Sequence, residues 1–146
     1  MKRLVTKCVV GLSAMLCVPG LSVANGPKGC KHDMLKGQYV FTATGFSRAA
    51  DGSWFPKAII EHIDFKGDGT LSVPAATVAN RTNDGAVVQS PPGGVGAYSV
   101  NDECTGTLQF TNGPSFNILV APRGDELWMI QTTPNNVFQG NVKRLW

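Results

Sequence analysis

The chain has 146 residues, of which 42% are hydrophobic and only 16% charged, with 17 glycines and 9 prolines. Soluble proteins average about 25% charged residues, so this composition argues against a disordered tail and a coiled coil, and the length allows one domain rather than several. The formal charge is +3, with no basic stripe to track nucleic acid and no polybasic patch for a membrane surface.

In chain order, Lys2, Arg3 and Lys7 precede an apolar stretch over residues 9–18, and Ser22-Val23-Ala24 supplies small residues where a signal peptidase reads. The pattern predicts an export signal over residues 1–24, cleaved before Asn25, and a single domain over residues 25–146. The stretch is shorter than the roughly 20 apolar residues that a helical span requires. Without Lys2, Arg3 and Lys7, ten basic residues face ten acidic ones and the mature chain is formally neutral. A periplasmic or secreted location follows from this reading.

Cys30 and Cys104 are the cysteines left after cleavage. An even number in an oxidising compartment reads as a disulfide. Closing a loop of 74 residues stabilises by about 4 kcal/mol in the chain-entropy description. Two cysteines with the separated His32 and His62 lack metal-ligand spacing, so neither a metal nor a cofactor is expected.

The remainder reads as short strands joined by tight turns. Residues 37–44 alternate, with Tyr39, Phe41 and Ala43 on one side and Val40, Thr42 and Thr44 on the other. A second strand covers residues 58–65 and turns at Lys66-Gly67-Asp68-Gly69. A third covers residues 70–79, interrupted by Pro74, which marks an edge or a bulge. Residues 87–89 add a short strand. Later strands cover residues 95–100, 104–110, 115–121, 126–132 and 137–145, separated by Asn-, Gly- and Pro-rich turns. The mature chain has no sustained helical period.

Sequential strands with short connections predict an all-β antiparallel meander. Such a sheet has two exposed edges unless it closes, and closure at about eight strands gives an up-and-down barrel, with a β-sandwich as the alternative. Several strands are apolar on both faces: Phe116, Ile118 and Val120 oppose Leu119 and Ala121, and Trp128 and Ile130 oppose Leu127 and Met129. An outer-membrane barrel is disfavoured. Arg144 shares the phase of Val142 and Trp146 and would face lipid with them, and several strands are shorter than the about 9–11 residues needed to span.

Leu35-Lys36-Gly37-Gln38-Tyr39, Phe65-Lys66-Gly67-Asp68-Gly69-Thr70 and the run from Gly96-Ala97-Tyr98-Ser99-Val100 through Asn101-Asp102-Glu103-Cys104 to Thr105-Gly106-Thr107-Leu108 together resemble a group of small exported bacterial proteins. The pattern of that group is similar to a barrel of the lipocalin or allene-oxide-cyclase type. The resemblance extends from Leu35 to about Trp146 and consists of strand-and-turn grammar. It implies a fold and supplies no catalytic residue.

Glu61 is the candidate for chemistry. It shares the phase of Ile59, Ile63 and Phe65, and a carboxylate among such neighbours is desolvated, titrates high, and suits acid/base work or the polar end of a ligand. The alternatives are that this face looks outward or that a basic side chain neutralises it. His62 points the opposite way, in phase with Asp64, as a surface histidine would. Residues 80–96 form the longest irregular stretch, suited to a lid or binding loop at a barrel mouth or to a plain surface excursion. Tyr39, Trp54, Phe65, Tyr98, Trp128 and Phe138 are the aromatic set from which a cavity lining would be drawn, with Glu61 as its polar member.

Three function classes stay open. They are a carrier for a small apolar molecule in the lumen, an enzyme of cyclase or isomerase type using Glu61, and an interaction protein whose outer face meets a second copy or an envelope or host partner. A filled lumen favours the last of these. An open apolar lumen favours the first, and an open lumen with a perturbed carboxylate the second.

Overall fold

The computed structural model describes residues 29–80 and 85–146. The export signal expected over residues 1–24, and the Thr82-Asn83-Asp84 part of the long loop, lie outside the described residues. Among the described residues the fold is all-β, apart from one short 3-10 helix, His32–Met34.

Ten strands follow in order: β1 (Lys36–Arg48), β2 (Trp54–Lys66), β3 (Thr70–Ser72), β4 (Thr77–Asn80), β5 (Val87–Ser90), β6 (Val95–Val100), β7 (Thr105–Phe110), β8 (Ser115–Val120), β9 (Glu126–Gln131) and β10 (Asn136–Arg144). Every pairing is antiparallel, in the order β1-β10-β9-β8-β7-β6-β3-β2, and β2 returns to β1. Eight strands therefore close a barrel, as the alternating apolar pattern predicts. β4 and β5 form a hairpin outside the closed ring, with β4 attached to β2.

β1 and β2 are longer than their sequence pattern suggested, pairing from Lys36↔Lys66 to Arg48↔Trp54. Two aspartates fix the turns at the ends of β2. The Asp51 carboxylate accepts from the Ser53 hydroxyl and N–H at 2.6 and 2.9 Å, and Asp68 does the same with Thr70. Aspartate favours turns because it can mimic a backbone acceptor in this way. The same bonds hold both carboxyls below their ordinary range.

The stretch expected as one strand over residues 70–79 is two. Pro74 cannot donate to a ladder, and residues 73–76 leave the edge of β2 there. β3 meets β2 at Asp64 and Phe65, and β4 rejoins the same edge at Ala58, Ile59 and Ile60. Only β3 passes the pairing on to β6. The barrel wall is thus three residues deep at this seam, and beyond it the β4–β5 hairpin splays away.

One end of the barrel is packed shut. Leu35, Tyr39, Ile63, Phe65, Leu108, Leu127 and Val142 are essentially inaccessible, and the Tyr39, Phe65 and Tyr98 rings meet edge to face at 5.1 and 5.0 Å. The 3-10 helix lies across this end. The Tyr98 hydroxyl shares its proton between the His32 and Leu35 carbonyls at 2.8 and 2.9 Å. Arg144 follows Val142 inward, donating to the Met34 carbonyl and the Tyr39 hydroxyl at 2.8 and 2.7 Å. Its shared phase with Val142 therefore marks the inside of the barrel. Cys30 and Cys104 form a disulfide with Cα atoms 5.0 Å apart, fastening the N-terminal segment beneath the same end.

Candidate functional site at the open end of the barrel

The other end is hollow. A cavity of about 250 Å³ opens where the seam parts. Phe41, Phe110, Phe116 and Phe138 line it from the barrel wall, and Lys57, Ile59 and Glu61 line it from successive inward positions of β2. Val73, Thr77, Ser90, Pro91, Gly94 and Pro114 complete it from the seam, the β4–β5 hairpin and the adjoining turns. The break at Pro74 is thus the local cause of the opening, and the long irregular stretch supplies one side of the mouth.

The phenyl rings make a connected wall. Phe41 contacts Phe116 and Phe138 edge to face at 6.0 and 6.4 Å, and Phe110 contacts Phe116 at 6.3 Å. Edge-to-face pairing places a positive edge on a negative face, and such faces attract cations. One already does so here, with the Lys57 ammonium 4.3 Å from the centre of the Phe138 ring.

Glu61 faces this wall, directly opposite Phe41 in the β1–β2 register. Its phase with Ile63 and Phe65 is the inward one, so the outward alternative does not hold. The Thr77 hydroxyl donates to Glu61 Oε1 at 2.6 Å. Burial pushes the carboxyl above its ordinary value, and the Thr77 bond partly offsets the rise. Among the described residues, no basic nitrogen forms a salt bridge with it. The group is a hydrogen-bond-accepting, titratable point in a mainly apolar wall that also carries Lys57, Thr77 and Ser90.

The residues singled out as a cavity lining fall into three places. Glu61 and Phe138 line the cavity. Tyr39, Phe65 and Tyr98 lie in the packed half, where burial raises the phenols of Tyr39 and Tyr98. Trp54 and Trp128 are on the outside, about half exposed. Phe41, Phe110 and Phe116 were not in that set. Their alternation was visible, but which end of the barrel stays hollow depends on where the seam opens.

His62 points outward as expected, although its Nε2 is buried without a partner among the described residues, and Asp64 pairs with Lys66 instead. Among the described residues, no three His, Cys, Asp or Glu side chains are grouped to hold a metal. On the outside, Leu119, Trp128 and Ile130 form an exposed apolar set beside Thr42, Thr44, Asn117, Gln139 and Asn141, which border a shallow groove. Comparison with known proteins finds no matching family model and no matching curated relative.

Proposed function

We propose that this protein binds a small, largely apolar molecule in the open end of its barrel, acting after export to an oxidising compartment. The observation that carries the reading is the hollow itself: about 250 Å³ enclosed mainly by phenyl and aliphatic side chains, in a barrel whose other half is filled. Ligand sites are concave and mostly apolar, with few polar groups placed to orient the occupant. At about 30 Å³ per water, the space equals roughly eight waters, which suits a single ring or a short chain. The disulfide supports the compartment, since such bonds persist mainly where thiols are oxidised.

A barrel of eight strands can hold one small ligand, as lipocalins do, and this supports the likeness to the lipocalin type. The cyclase or isomerase reading draws on one observation, the raised carboxyl of Glu61 at the cavity wall. An acid/base group is useful when its pKa approaches the working pH, and Glu61 would be the residue to carry the proton.

The test is a titration of the mature protein with 2-phenylethanol, followed by calorimetry or amide chemical shifts. One-to-one saturable binding is expected. Ser90 lines the mouth without belonging to the core, so Ser90→Trp fills the space and weakens binding by tenfold or more while the fold is kept. Saturable binding that Ser90→Trp leaves untouched would place the ligand elsewhere.

A further inference from the structure

We infer that the molecule held in the cavity carries a protonated amine, which Glu61 receives while the phenyl wall holds its apolar body. The inference rests on the ligand-binding reading and names the chemistry of the ligand for the same site.

Three features converge. Glu61 is a half-buried carboxylate whose only hydrogen bond among the described residues comes from the Thr77 hydroxyl, at 2.6 Å. That bond engages Oε1, no hydrogen bond reaches Oε2 among the described residues, and the side chain lines the cavity. A carboxylate withdrawn from water is favourable only when hydrogen-bonded and paired with opposite charge, and no salt bridge to it forms among the described residues. The second feature is the wall. Phe41, Phe110, Phe116 and Phe138 present aromatic surface around the same space, and the 4.3 Å approach of Lys57 to Phe138 shows that this surface accepts an ammonium. An organic cation gains from both the carboxylate and the ring faces.

The third feature is direction. Lys57 and Glu61 are four residues apart on the same face of β2, a separation of about 13 Å along a strand. The cationic end of a ligand is therefore drawn to Glu61 and kept from Lys57, and its ring lies between them. A neutral alcohol of the same shape keeps the apolar contacts and can donate to the carboxylate, but it brings no opposite charge to Glu61 and no cation to the ring faces. An anion meets Glu61 as a like charge.

The experiment compares three probes of one size with the intact mature protein at neutral pH: 2-phenylethylamine, 2-phenylethanol and phenylacetate, each followed by calorimetry. The amine is expected to bind about tenfold tighter than the alcohol, because it alone adds opposite charge at Glu61 and a cation at the ring faces, and phenylacetate weakest. Glu61→Gln is expected to bring the amine to the level of the alcohol and to weaken the alcohol far less than the amine. Binding of the alcohol equal to or tighter than that of the amine would overturn the inference and leave the ligand-binding reading standing. So would an amine preference that survives in Glu61→Gln, or phenylacetate as the tightest probe. Binding of none of the three would overturn both.

Discussion

Glu61 shows how one side chain couples the fold to its chemistry. Its carboxyl titrates above the ordinary 4.5 because burial disfavours the charge. In the unfolded chain the proton leaves near that ordinary value, whereas in the folded protein it stays on to higher pH. The folded state thus binds more proton between the two values, and stability falls as pH rises through that window. Above it the full penalty applies. Glu61→Gln removes the charge and keeps an acceptor for Thr77, so urea denaturation should find the variant at least as stable as the parent at pH 7. The advantage should vanish as pH drops below 4.5. A clear loss of stability at pH 7 would make Glu61 a structural member of the core and remove the ground for a binding role. The shared phase with Ile59, Ile63 and Phe65 made Glu61 a candidate but left open whether that face looks inward, because one sequence does not fix strand phase to the residue. The Thr77 bond was not legible, because that contact exists only once β4 rejoins β2 beyond the break.

Among the elements, the strands and their turns were readable because alternation and turn chemistry are local. β6 spans the residues expected of it, and the others differ mainly at their ends. The split of residues 70–79 was half visible: Pro74 announced an interruption, but not that β3 would pair onward with β6 while β4 paired with β5. Such partner choices depend on the whole ring. Close approach between strands is another property of the ring. At Gly106 in β7, an added Cβ would collide with the Ser99 carbonyl across the β6–β7 ladder, and at Gly140 in β10 it would run into Ala43 and the Thr42 carbonyl. Both collisions involve backbone, which cannot yield as a flexible side chain does. Gly106→Ala should therefore lower stability by at least about 1–3 kcal/mol, the usual range for overpacking, measured as a fall in thermal midpoint. An unchanged midpoint would mean that the two strands sit farther apart than described.

For the molecule as a whole, the asymmetry between its ends is the central feature. The closed end is held by the 3-10 helix, Tyr39, Tyr98, Arg144 and the Cys30–Cys104 disulfide. The open end is hollow because the wall thins at the seam. The barrel and the disulfide pair were both legible in the sequence. The hollow end was not, since it follows from packing volumes rather than periodicity. Replacing both Cys30 and Cys104 by Ser should destabilise by about 2–5 kcal/mol in denaturant unfolding, the usual loss for a native bridge. Binding at the far end should persist wherever the variant remains folded. A separate face, the groove beside Trp128 and Ile130, offers a rival location for any apolar probe. Intermolecular NOEs from bound 2-phenylethanol decide between the two most directly. Cross-peaks to the ring protons of Phe41, Phe116 and Phe138 are expected, whereas cross-peaks confined to Trp128, Leu119 and Ile130 would show that the barrel interior is not where this protein holds its ligand.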